Sequence, residues 1–153
     1  MSVVLRGRPR AYVAAPVAPA NGLFQAIHWA FDQAEDLTWG DLGILVTDPA
    51  MAAQLSHLHR LKARGVRIGT ADQAGRARSF HGVVIAYCPD SMMLATAEAL
   101  PAARALAAVA LDNEPLLDWV ATFAPQHLGG EILPVPSGTP VPVSSGGTLQ
   151  PSP

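Results

Sequence analysis

Along this chain, short runs of consecutive apolar residues alternate with stretches where apolar residues recur every third or fourth position. The runs are RAYVAA at 10–15, LGILV at 42–46, VVIAY at 83–87 and LAAVAL at 106–111, and VRIGT at 66–70 reads as a further strand. Such runs suit strands buried on both faces, whose side chains alternate between two covering layers. The stretches between them read as amphipathic helices. Phe24, Ile27 and Phe31 make one stripe on a helix running from Asn21 to about Glu35. Met51, Leu55 and Leu58 make a second stripe, and Leu116, Trp119, Val120 and Phe123 make the last.

The helix boundaries carry their own chemistry. Asn21 is expected to cap the first helix, because a short side-chain acceptor satisfies the free amides of a first turn. Asp48-Pro49 and Asp112-Asn113-Glu114-Pro115 each put a capping side chain before a proline, which suits the first helical position. Cys88-Pro89-Asp90-Ser91 opens a helix from Met92. Gly65 is expected to end the second helix and Pro101 to break the third. Residues 71–82, with Gly75, Arg76, Arg78 and Ser79, read as a loop in place of a helix.

Strands joined through helices must run parallel. The pattern therefore predicts an α/β fold, a three-layer Rossmann-like sandwich with a five-stranded, mainly parallel sheet and helices on both faces. The expected strand order is 3-2-1-4-5. The organisation that follows is an arm at 1–9, one domain at 10–130 and a tail at 131–153. That tail holds six of the fourteen prolines and no charge after Glu131. It reads as disordered or polyproline-like, with a docking segment as the functional alternative.

Composition narrows the function classes. Only 14% of the 153 residues are charged, and the net charge is −2. This disfavours nucleic-acid binding by bulk charge. No apolar run reaches the ~18 residues of a membrane span, so no membrane partner is expected. One cysteine, Cys88, excludes an internal disulfide, and with no signal-like start it suggests a cytoplasmic protein. The five histidines lack HxxxH or HExxH spacing, and no metal set is assigned. No GxxxxGK[ST] or GxGxxG is present to cradle a phosphate, and the cofactor is left unknown.

In open parallel sheets the ligand crevice lies beyond the carboxyl ends of the strands. That edge would present Asn21, Asp48, Thr70, Asp72, Asp90, Ser91 and Asp112, the candidate ligand-binding set. Converging carboxylates suit a ribose, a cation or general-base work. The structural alternative is that each Asp caps its own helix. Arg60, Lys62, Arg64, Arg67, Arg76 and Arg78 form a basic cluster that would hold phosphates or an acidic partner if they shared a face. A solvated positive face is the simpler reading. Trp29 and Trp39, if exposed, would mark a protein-partner or homo-oligomer surface.

Two resemblances attach to these residues. LGILVTDP, GVVIAYCPD, ALAAVALDN and LLDWVATFAPQHLGG, matched at Pro89, Asp90 and Trp119, resemble small uncharacterised actinobacterial Rossmann-like proteins over roughly residues 10–130. That resemblance implies the fold and no activity. VRIGTADQAGRARSFHGVVIAY resembles the closing motifs of superfamily 1 helicases at Thr70, Gly75 and the strand that follows. LPAARAL, with Arg104, is similar to their arginine-finger helix. Arg76 and Ala77 stand where those motifs carry an acidic residue, and no Walker A lysine is present. The resemblance thus implies at most a degenerate motor-like domain without ATPase activity. The leading expectation is a non-catalytic binding or regulatory module. The alternative is a small nucleotide- or nucleoside-binding enzyme using the acidic edge.

Overall fold

A computed structural model describes residues 8–48, 50, 56–73 and 80–135. In chain order the elements are β1 (Arg10–Val13), α1 (Pro19–Gln33), β2 (Leu42–Val46), α2 (Ser56–Ala63), β3 (Arg67–Thr70) and β4 (Gly82–Tyr87). Then come α3 (Ser91–Glu98), β5 (Ala103–Val109), α4 (Leu117–Phe123) and β6 (Gln126–Gly129). Short 3₁₀ turns at Trp39–Asp41 and Glu114–Leu116 lead into β2 and α4. The chain is α/β with a parallel sheet flanked by helices, as the apolar runs require.

The strand number and order differ from expectation. The sheet has six strands in the order β3-β2-β4-β5-β1-β6, not five in the order 3-2-1-4-5. Every pairing is parallel. The sixth strand, QHLG, is polar and half-exposed, so like the other edge strand, β3, it lacks an unbroken apolar run. The first strand sits between β5 and β6, three strand positions from β2. α1 packs over β5 and its neighbours, and residues 34–41 then lead the chain on to β2. β4 and β5 then fill the centre, where all six residues of β4 are buried.

Two apolar layers sandwich the sheet. On one side Leu23, Ala26, Ile27 and Ala30 of α1, with Leu58 and Leu61 of α2, pack on Ile44, Val83, Ile85, Ala105 and Ala107. On the other, Met93, Leu94 and Ala97 of α3, with Trp119 and Val120 of α4, pack on Leu45, Val84, Ala86, Leu106 and Ala108. Alternate residues of each strand thus serve opposite layers. Small side chains let the layers close up. At Gly22 of α1, an added Cβ would lie 2.9 Å from Val109 Cγ1 and 3.0 Å from Val13 Cγ1. Gly82 has φ of +73°, and a Cβ there would run into the Asp41 carbonyl oxygen.

Two residues expected outside the domain join it. Arg8 is buried, and Leu133, 3% exposed, belongs to the second layer. The Tyr12 hydroxyl accepts from the Leu133 amide at 3.0 Å. The rest of the proposed tail, residues 136–153, lies outside the described residues, as do Arg76, Arg78 and the stripe residues Met51 and Leu55.

At the amino edge of the sheet a buried ion pair fastens β1 to the second layer. Arg10 donates from Nε and Nη2 to the two oxygens of Glu98, each at 2.7 Å. Trp119 Nε1 donates to the same carboxylate at 2.8 Å. The Arg10 guanidinium lies 4.0 Å from the centroid of Phe123. Arg8 donates to the carbonyls of Glu98, Leu100 and Ala103, the turn where α3 ends. Its pKa is lowered by burial, against the pull of Glu98. Removing one partner of a buried ion pair strands the other charge, at ~3–5 kcal/mol. Arg10→Ala is therefore expected to lower stability by about that amount in urea unfolding, and Asp118→Ala, at an exposed position, by under ~0.5 kcal/mol.

Candidate functional site

The carboxyl ends of the six parallel strands lie along one edge, and the expected site residues fall on the loops there. Asn21 does not cap α1. The helix starts at Pro19, with Ala18 as N-cap and no side-chain cap bond, so Asn21 lies exposed within its first turn. Proline's fixed φ favours that earlier start. Asp48 Oδ1 accepts from the Ala50 amide at 3.0 Å. Thr70 and Gln73 exchange bonds: the Thr70 amide donates to Gln73 Oε1 at 2.9 Å, and the Gln73 amide donates to Thr70 Oγ1 at 3.3 Å. Asp72 is exposed in the helical turn that follows β3.

Asp90 caps α3, accepting from the Met93 amide at 2.8 Å, with Ser91 exposed as the first helical residue. Asp112 Oδ1 accepts from the Glu114 amide at 3.1 Å. Asp48, Thr70, Asp90 and Asp112 each satisfy the backbone of their own turn. Each of the three carboxylates uses Oδ1 for this, a bond worth ~0.5–2 kcal/mol to its turn.

The helices after β5 and β1 leave on opposite faces, which in a parallel sheet opens a crevice. Here Asn113 crosses that gap. Its Oδ1 accepts from the Ala15 amide at 2.8 Å, and its Nδ2 donates to the Ala15 carbonyl at 3.3 Å and Glu131 at 3.2 Å. The Glu131 amide also donates to the Ala15 carbonyl at 3.1 Å. Three strand ends are thereby joined by one amide side chain. Sequence reasoning took Asn113 as a cap; its neighbours along the chain carry no sign of partners 18 and 98 residues away.

A second change of face separates β2 from β4. There His57 of α2 meets Tyr87 at the end of β4, Nε2 to hydroxyl 3.2 Å, with the rings edge-on. Cys88 follows with φ of +52°. All three groups are held uncharged near neutral pH. Burial pushes Tyr87 up to about 12 and also raises the Cys88 thiol. Burial and then Arg60 lower the His57 pKa. A thiol shifted upward is a poor nucleophile. Among the described residues no group of three or more His, Cys, Asp or Glu is placed to hold a metal ion. No described helix is long and apolar enough to cross a membrane.

Concave surface lies instead on the helical faces. A cleft of about 240 Å³ between α1 and α2 is lined by Phe24, Trp39, His57, Arg60, Leu61 and Arg64. One of about 410 Å³ on the other flank of Phe24 runs between α1 and β6. A third, of about 380 Å³, separates α3 from α4 above Glu98, Trp119 and Phe123. Phe24, read from periodicity as core, is 54% exposed and is shared by the first two clefts. Trp29 is buried and Trp39 half-buried, stacked edge-on against Phe31 at 5.0 Å. No protein-family model, curated protein or solved structure matches this chain.

Two measurements check these assignments. Cys88 is expected to react with iodoacetamide at pH 7.5 several-fold more slowly than a free thiol, and faster as pH rises. His57 binds its proton less readily folded than unfolded. Between its folded pKa and about 6.5 the unfolded chain therefore holds more protons, and stability falls as pH is lowered through that window. His57→Gln is expected to flatten the fall in urea midpoint between pH 7.5 and 5.5.

Proposed function

We propose that this chain is a non-catalytic binding module that engages a protein partner. The observation that carries the reading is the Asn113 bridge, which ties together the loop ends where a parallel sheet would open its ligand crevice. Two further features support it. Asp48, Asp90 and Asp112 each bond the backbone of their own turn, and the pKa shifts of the nearby His57, Tyr87 and Cys88 all favour their neutral forms. The same edge also exposes apolar side chains: Met92, Leu111 and Ile132 are 76%, 66% and 74% exposed. Apolar groups concentrated at an edge favour contact with protein over binding of a polar metabolite.

A thermal-shift screen against ATP, ADP, NAD, nucleosides and divalent cations tests it. No ligand is expected to raise the midpoint by more than a degree. Asp90→Ala is expected to lower stability by ~0.5–2 kcal/mol through its lost cap, and Asp72→Ala is the second variant at this edge. A several-degree stabilisation by a nucleotide, abolished in both variants, would establish the small-ligand alternative instead.

A further inference from the structure

We propose that the cleft between α1 and α2 is a docking site for an acidic peptide segment of a partner protein, with one bulky apolar side chain of that segment seated against Phe24. The cleft lies on a helical face and shares only His57 with the groups named at the strand ends, so its failure would leave the reading above standing.

The lining of the cleft is mostly apolar or neutral, with two cations. Phe24, Trp39 and Leu61 supply apolar surface, His57 a neutral ring, and Arg60 and Arg64 the positive charge, with no carboxylate among the six. Phe24 projects from a helix whose neighbours Leu23, Ala26 and Ile27 are all buried, and it remains 54% exposed. A large aromatic ring beside a concavity is an incomplete contact, of the kind that anchors interfaces. The guanidinium of Arg64 lies 5.3 Å from the centroid of Trp39, which holds the charge over the cleft. Neither Arg60 nor Arg64 forms an ion pair with a described residue. The positive charge along this wall is thus that of Arg60 and Arg64, with His57 neutral between them and Tyr87.

Size and charge select the occupant. At about 240 Å³ the cleft falls below the ~300–1,000 Å³ of small-ligand pockets and has room for a large side chain or two. Guanidinium groups pair with carboxylates in a fixed, forked geometry, and helix-bounded grooves accept segments with spaced apolar anchors. Residues 132–153 of this chain carry no charged side chain, so they lack the carboxylates that the rim would recognise. An extended polyanion would meet Asp32, Glu35 and Asp36 near the far end of α1, which oppose a phosphate backbone more than a short peptide.

The test is selection of a random peptide library on the immobilised full chain, followed by anisotropy measurements with a fluorescein-labelled selected peptide. Sequences with an aromatic or Leu residue flanked by Asp or Glu are expected. Their affinity should fall at least tenfold in Arg60→Glu/Arg64→Glu and in Phe24→Ala, less in Arg60→Lys/Arg64→Lys, and should weaken as salt is raised. Circular dichroism melts check that each variant folds; a variant that melts early is replaced by Phe24→Leu. Failure to enrich any sequence, enrichment of basic peptides, or binding unchanged by charge reversal would overturn the proposal. Two further outcomes would overturn it by naming another occupant. One is competition for the same arginines by ADP or inorganic phosphate without peptide enrichment. The other is self-association in sedimentation velocity that the same charge reversal abolishes.

Discussion

The placement of the first strand depends on neutralising Arg10. β1 enters the sheet between β5 and β6 and brings two arginines into the interior. A buried guanidinium without a carboxylate would cost several kcal/mol, comparable to the whole stability of a small domain. Glu98, at the end of α3, meets Arg10 with both oxygens and accepts from Trp119 of α4 as well. One carboxylate therefore fixes the relative positions of a strand and two helices. The Arg8 guanidinium satisfies the carbonyls left free where α3 ends, so both arginines act on the same junction. The clefts and loop ends discussed above are positioned by this anchoring and by the two apolar layers around the sheet.

Much of the fold is legible in the sequence because parallel strands advertise themselves. LGILV and VVIAY read as strands from their unbroken apolar character, and the structure places β2 and β4 there. Asp90 before Ser91 reads as a cap and caps α3. Strand order is another matter. Pairing partners are set by contacts between distant segments, such as the close approach of Gly22 to Val13 and Val109, not by the pattern within β1. β6 escapes detection because an edge strand buried on one side by Leu128 and little else needs no apolar run.

The candidate site was legible in position and not in use. Asp48, Thr70, Asp90 and Asp112 fall on loops at the carboxyl ends of the strands, as alternation of strands and helices requires. What their oxygens accept is set by turn geometry a few residues away, and this the residue types alone leave open. The Asn113 bridge and the Arg10 pair depend on contacts across most of the chain, which local pattern does not encode. Phe24 shows the reverse error. Its spacing with Ile27 and Phe31 marks a core stripe, yet the helix rolls so that Leu23, Ala26 and Ala30 face the sheet and Phe24 faces outward. Small residues at 26 and 30 permit the closer packing that selects this roll.

The position of β1 has a consequence for how the molecule is made. Its partners, Leu106 to Val109 on one side and Gln126 to Gly129 on the other, lie about a hundred residues downstream. A ribosome adding ~5–20 residues per second exposes β1 for several seconds before either neighbour exists. During that interval β2, β3 and β4, close together in sequence, can already assemble. Contacts so distant along the chain slow the final closure of the sheet, because a large loop must be ordered before its contacts repay the entropy. The first strand of the sheet is thus the one whose pairing must wait for the last two.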